Sequence, residues 1–153
     1  MRDDSDPIVI LLADDDPDDR EMTVKALDKN LMANDLYEVT DGEELLEYLR
    51  HRGKYTPPAL SPVPGLILLD LNMPKKDGRE ALAEIKADPV LRRIPVVVMT
   101  TSKAERDIVE TYNLGCSSFI SKPVTLTGLV DVMRVIGEYW FRTVRLPIGM
   151  EKR

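Results

Sequence analysis

Apolar residues along the chain gather into short runs that end in polar or acidic side chains. Ile8, Val9, Ile10, Leu11 and Leu12 form the first run, which stops just before Asp14 and Asp15. An unbroken apolar run of this length predicts a strand buried on both faces, with the acids where it emerges at a sheet edge. Asp16 suits an N-cap, Pro17 the first helical position, and Asp19 lies three residues after the cap, which predicts a helix to about Asn30. Tyr37 to Thr40 predicts a weaker strand. Asp41 follows as a cap with Glu44 three residues on, and Leu45, Leu46 and Leu49 recur at helical spacing.

The stretch Gly53 to Gly65 holds Pro57, Pro58, Pro62 and Pro64, which rule out regular helix and most strand pairing and predict a long irregular connection. Leu66 to Leu69 repeats the first pattern, an apolar strand ending in an acid, here Asp70. A helix starting near Asp77 and Gly78 places Ala81, Leu82 and Ile85 on one face. Val96 to Met99 is a further buried strand, closed by Thr100 and Thr101. A helix from about Ala104 stops at Gly115, and Ser118 to Ser121 is a short strand leading to Lys122 and Pro123. A last helix runs from about Leu126 towards Val144.

Strand and helix therefore alternate five times, which predicts an α/β fold, a doubly wound parallel sheet with helices on both faces, because parallel neighbours need a helical crossover. Ligands of such sheets bind at the carboxyl edge, beside the point where strand order reverses. Asp14, Asp15, Asp70, Thr100 and Lys122 are the residues that the pattern brings to that edge.

With 153 residues, the chain has the length of one domain. Hydrophobic residues at 43% and charged residues at 31% are the proportions of a water-soluble globular protein, and no apolar run approaches the ~20 residues that span a bilayer. Met1 to Asp6 is acidic and lacks the basic start and cleavage site of a secretory signal, so the expected location is cytoplasmic. Cys116 and His51 stand alone, without the neighbours that a disulfide or a zinc site requires, and both read as structural or surface residues. The formal charge of −6 argues against non-specific attraction to nucleic acid, which is built from Lys and Arg on phosphates. Much of the negative charge sits at Asp14, Asp15, Asp16, Asp18 and Asp19. Such a run is ordinarily a solvated face, and its position at a strand end is what sets this one apart.

Three converging carboxylates repel one another unless a cation is present. A few protein oxygens with no His or Cys suit Mg²⁺, or Mn²⁺, which keeps waters and takes one or two carboxylates plus phosphate oxygens. A carboxylate beside such an ion can attack phosphorus and become an aspartyl-phosphate. Lys122 would then neutralise the incoming phosphoryl group, and the Thr100 hydroxyl could donate to one of its oxygens.

The pieces LLADDDPDD, LLDLNMPKKDG, VVMTTSKAE and FISKPV, in this order, resemble the response-regulator receiver family. The resemblance spans residues 7–145, leaving 1–6 as an N-terminal tail and 146–153 as a C-terminal extension. It implies a single (βα)5 domain with strand order 2-1-3-4-5. It also implies that Asp14 and Asp15 hold the metal, that Asp70 is the phosphoacceptor, and that Asn72 offers its backbone carbonyl to the metal. Thr100, with Thr101 beside it, becomes the switch hydroxyl, and Lys122 pairs with phosphate ahead of a cis Pro123. The expected donor is a sensor histidine kinase and the expected activity is that of a signalling switch, not an enzyme acting on other substrates. The chain's own His51 is a poor donor, flanked by Arg50 and Arg52 at a helix end.

The tail around EYWFRTVRLP, the insertion before the third strand and the stretch from KKDGREALAEIKADP to TTSKAERDI are similar to small regulators that work with bacterial phytochromes. That likeness points to a red/far-red light-sensing kinase as donor. Where many receivers carry an aromatic switch, this chain has Phe119, which lacks a hydroxyl and reads equally as a core aromatic.

Two other readings compete. A haloacid-dehalogenase-type phosphohydrolase also uses an Asp nucleophile, but places a second Asp two residues on as general acid, where this chain has Asn72. A flavodoxin-like scaffold that never takes phosphate would need no intact acidic pair, Asp70, Thr100 and Lys122. With no output domain after the receiver pattern, the signal is expected to leave through a downstream protein or a change of assembly. Leu129, Val132, Met133 and Ile136 read as core. Trp140, Phe141, Val144, Leu146 and Ile148 exceed that need and read as contacts of a homodimer, or as a segment folded back over its own domain.

Overall fold

Residues 8–30, 34–102 and 104–143 are described by the computed structural model. Strand β1 (Ile8–Ala13) leads into α1 (Pro17–Lys29), β2 (Asn34–Val39) into α2 (Gly42–Arg50), and β3 (Leu66–Leu69) into α3 (Gly78–Ala87). Then come β4 (Val96–Thr100), α4 (Glu105–Leu114), β5 (Ser118–Ser121) and α5 (Leu126–Ile136). The five strands are parallel in the order β2-β1-β3-β4-β5, as the resemblance implied.

The unbroken apolar runs are explained by burial on both faces. Alternate residues Leu11, Ala13, Ile67, Leu69, Val96 and Val98 pack with Leu45, Leu49, Ala81, Leu82 and Ile85 on one side. Their neighbours Ile10, Leu12, Leu66, Leu68, Val97 and Met99 pack with Ala26, Leu27, Leu129, Met133 and Ile136 on the other. Each Val, Leu, Ile or Met side chain among them stabilises the fold by roughly 1.5–3 kcal/mol when fully buried.

Helix starts follow the side chains available. Asp16 caps α1 by accepting from the backbone N–H groups of Asp18 and Asp19, with Pro17 following. At α2, Asp41 accepts from Glu44 N–H at 2.7 Å, but Glu44 does not reach back to the cap residue. Its carboxylate takes the Thr40 N–H and hydroxyl and the Tyr55 hydroxyl instead. Burial alone would raise the Glu44 pKa, but the Lys54, Thr40 and Tyr55 hydrogen bonds win and hold it at about 2. The reciprocal capping box occurs at α3, between Asp77 and Glu80.

Three expectations are corrected. The second strand begins at Asn34, not Tyr37, because it pairs with the whole of β1 from Ile8↔Asn34 to Ala13↔Val39; pairing, not the composition of its first residues, sets its length. The connection before β3 is irregular but contains a 3-10 turn at Gly53–Tyr55, and is pinned where Tyr48 donates its hydroxyl to Pro62 O at 2.7 Å and His51 bonds Ser61. The last helix changes to a wider π-helical winding over Gly137–Thr143. The change begins at a glycine, a poor α-helix former.

Helix α3 starts so close to β3 that a Cβ on Gly78 would stand 2.4 Å from the carbonyl oxygen of Asp70. The Gly78 N–H uses that proximity to donate to Leu71 O at 2.9 Å. Gly78→Ala is therefore expected to lower stability by about 1–3 kcal/mol through overpacking, read as a lower urea midpoint with an unchanged denaturant slope.

Candidate functional site

Parallel register carries the sheet's ladder past its strand ends. Ala13 pairs with Leu69, so Asp14 and Asp70 follow side by side. Asp14 N–H donates to Val39 O, Asp70 N–H to Ala13 O, and Lys122 N–H to Thr100 O at 2.8 Å. Each functional backbone position is thus fixed by a hydrogen bond to the neighbouring strand.

Asp14, Asp15 and Asp70 each offer a carboxylate oxygen within 4.8 Å of the others, and Asp14 and Asp70 are buried while Asp15 is exposed. Asp14 also accepts the Asp16 N–H at 3.0 Å, and its main-chain carbonyl is held by Arg20 at 2.9 Å. Arg20 is anchored in turn on Glu38 at 3.2 Å. Asp70 accepts the Asn72 N–H at 3.2 Å. The Lys122 ammonium meets Asp14 at 2.8 Å, Asp19 at 3.0 Å and Asp70 at 3.2 Å.

The charges shape one another's ionisation. Burial pushes the Asp14 carboxyl above its ordinary value, against the opposing hydrogen bonds from Lys122 and Asp16. Burial alone would depress Lys122, yet its bond to Asp14 and the charges of Asp70 and Asp14 hold it above the usual lysine range. The donor set is all oxygen, with no imidazole or thiolate, and so fits a hard divalent cation.

Thr100 is fully buried at the end of β4, its Oγ1 accepting from Ser102 N–H at 3.4 Å, whereas Thr101 is exposed. The Ser102 hydroxyl donates to Asp107, which Arg79 grips from α3 at 2.8 Å. Thr100 is therefore tied through Ser102 and Asp107 to a neighbouring helix. Phe119 pairs with Val98 and packs against the α2 and α3 side of the core, and its N–H donates to the Tyr112 hydroxyl at 3.1 Å. It is a partly buried aromatic at the margin of that core.

Sequence reasoning missed Asp19, Arg20, Ser102, Asp107 and Arg79. The start of α1 at Pro17 was legible, and with it the place of Asp19 in the first turn, but not its contact with Lys122. The others depend on which loop meets which helix. A cis bond before Pro123 was expected, but the only cis peptide among the described residues is Pro57–Pro58. The trans form is favoured intrinsically by about 0.5–1 kcal/mol, and with it Lys122 reaches all three carboxylates. Trp140 packs against the α1 and α5 side of its own core and stands edge-on to Tyr139. The Phe141 side chain, and Val144, Leu146 and Ile148, lie outside the described residues.

An aspartate at the end of a central parallel strand, beside two further carboxylates, a buried threonine and a lysine, defines a receiver-type switch. The response regulator receiver domain family matches residues 10–134, and the chain belongs to it. Response regulator Rcp1 of Synechocystis sp. is 43% identical over 148 residues, 96% of this chain and 99% of that protein. The solved structure of the phosphorylated cyanobacterial phytochrome response regulator RcpA shares 43% identity at a TM-score of 0.85, covering 92% of this chain and 99% of that one. The Mn²⁺-bound form of Rcp1 superposes with a TM-score of 0.84 at 42% identity, over 92% of this chain and 99% of that one. The chain is thus a response regulator closely related to those of phytochromes, and neither the phosphohydrolase nor the flavodoxin-like reading is supported. Among the described residues no helix is long and apolar enough to cross a membrane.

Removing Lys122 leaves buried carboxylates without their cation. In chelator-treated protein, Lys122→Ala should cost about 3 kcal/mol at neutral pH. Asp14, with its pKa raised, opposes folding when ionised, so its contribution to stability is present at low pH and lost as pH rises through its folded value. Loss of the lysine raises that value further. The deficit should therefore shrink as pH falls towards the carboxylate range, as urea midpoints across pH would show.

Proposed function

We propose that this response regulator accepts a phosphoryl group on Asp70 from the phosphohistidine of a phytochrome-type sensor kinase. The observation that carries the reading is the Lys122 ammonium bridging Asp14 and Asp70 at the carboxyl edge of the sheet. Asp14, Asp15, Asp70 and the Asn72 backbone carbonyl would hold Mg²⁺, or Mn²⁺. Bound there, the ion would neutralise the carboxylates and the phosphoryl oxygens.

An Asp70 carboxylate oxygen attacks phosphorus, the P–N bond to the kinase imidazole breaks, and its electron pair stays on the imidazole nitrogen. Lys122 compensates the phosphoryl charge. Thr100, and Thr101 at the rim, supply hydroxyls, and Thr100 shifts a pre-existing equilibrium by donating to a phosphoryl oxygen. Motion of Thr100 alters its contact with Ser102, and so the hold of Asp107 and Arg79 on the loop. Phe119 is free to repack into vacated space. The chain acts as a signalling switch whose only chemistry is on itself.

Its receiver unit is taken as 7–145 between a short tail and the extension 146–153, and its location as cytoplasmic. Its partners are the kinase and a downstream protein, not nucleic acid or membrane. A homodimer through the C-terminal segment, with Phe141, Val144, Leu146 and Ile148, is part of the proposal; Trp140 packs on its own core.

Incubation with a small phosphodonor and Mg²⁺ should add one phosphoryl mass to the parent and none to Asp70→Asn or to chelator-treated protein. Labelling of Asp70→Asn as full as the parent's would remove Asp70 as the acceptor. Thr100→Ala should be labelled yet lose the change in amide exchange over residues 100–123 that the parent shows. Sedimentation over a range of concentrations should give a dimer that is lost on truncation after Gly137, and a parent that stays monomeric with and without phosphate would dismiss the dimer.

A further inference from the structure

Asp19 is not required by the phosphorylation chemistry, yet its carboxylate meets the Lys122 ammonium at 3.0 Å. An ammonium has three N–H groups, and those of Lys122 are taken by Asp14, Asp19 and Asp70. To engage a phosphoryl oxygen on Asp70, Lys122 has to release one partner. The three differ in what release costs. The Asp14 side chain is 3% exposed, so water cannot take the place of the lysine there. Asp70 is the group that becomes the acyl phosphate. Asp19 is 31% exposed, so water takes over its hydration at little cost.

The aim of Asp19 is built in by the start of α1. Its N–H and that of Asp18 both donate to Asp16 Oδ1, and the Thr23 hydroxyl donates to the Asp19 carbonyl. This backbone is fixed in the first helical turn, directly beyond the end of β1, and the carboxylate meets the lysine from there.

We propose that Asp19 is a positioning residue, the exchangeable third partner of Lys122, which holds the ammonium over the acidic pocket and yields it to the incoming phosphoryl oxygen. The inference rests on Asp70 being the acceptor. Asp19 also adds a negative charge beside the path of an anionic donor. It therefore slows encounter with small dianionic phosphodonors while keeping Lys122 in place.

The test follows Asp70 phosphorylation by acetyl phosphate at saturating Mg²⁺, over a range of donor and salt concentrations, in the full chain and in Asp19→Asn and Asp19→Glu. At sub-saturating donor, Asp19→Asn should be about threefold to tenfold faster, through a lower half-saturating concentration and not a higher maximal rate. The gain should shrink as salt rises, and Asp19→Glu should restore the parent's behaviour. In metal-free protein, the effects of Asp19→Asn and Lys122→Met on the urea midpoint should be non-additive. If the Asn variant does not fold, Asp19→Ser carries the same comparison. Labelling no faster than the parent, a gain indifferent to salt, or additive midpoints would each overturn the role of Asp19 and leave the acceptor standing. A parent that takes up no phosphoryl group would overturn the acceptor reading, and the inference with it.

Discussion

One ammonium among three carboxylates is the interaction on which the rest of this site depends. Asp14 and Asp70 are buried at neighbouring strand ends, where two like charges in reduced dielectric repel strongly. Lys122 makes that arrangement tenable by bonding both, and its own burial is tenable only because of them. Neither sign of charge could be held there alone. The balance also leaves room for change, since a group that adds or removes charge at Asp70 alters what Lys122 has to compensate.

The surrounding structure serves to keep these groups at fixed separations. The β1–β3 register sets Asp14 beside Asp70, and the hydrogen bond from Lys122 N–H to Thr100 O sets the lysine beside the buried threonine. Arg20, braced on Glu38, holds the carbonyl of Asp14 from α1. Among the described residues every buried side-chain polar atom has a hydrogen-bond partner, so a change at the strand ends has to be passed on to neighbouring bonds. The route from Thr100 through Ser102 and Asp107 to Arg79 is such a connection, joining the β4–α4 loop to α3. It is a physical path for coupling, two hydrogen bonds and an ion pair that can rearrange.

The resemblance to phytochrome response regulators covers nearly the whole chain, and the features away from the strand ends are its more individual part. The proline-rich connection before β3 is fastened by Tyr48 and His51 to α2, which gives the lone histidine a structural place at a helix end. Cys116 is likewise buried in the core and free of any disulfide. At the far end of the chain, the wider winding after Gly137 accompanies the packing of Trp140 on its own domain while Tyr139 stays half-exposed.

Much of this was readable from the sequence because it follows from local patterning. Unbroken apolar runs that stop at Asp14, Asp70 and Thr100 announce strands buried on both faces, since charged side chains are seldom held inside such strands. Asp16 with Pro17, Asp77 with Gly78, and Gly115 mark helix ends by backbone chemistry that needs no partner. Asp70, its acidic neighbours and the lysine were visible for the same reason, as polar residues placed where each strand stops. What the chain alone left open was decided by contacts between distant segments. The first residues of β2 became strand because β1 offered partners, and Glu44 left its expected capping role because Thr40, Tyr55 and Lys54 took up its carboxylate. Asp19 joined the site because the first turn of α1 meets Lys122, and Ser102, Asp107 and Arg79 met because the first turn of α4 packs beside α3. Each of these depends on the three-dimensional neighbour that a side chain finds, and the periodicity of a single segment carries no record of it.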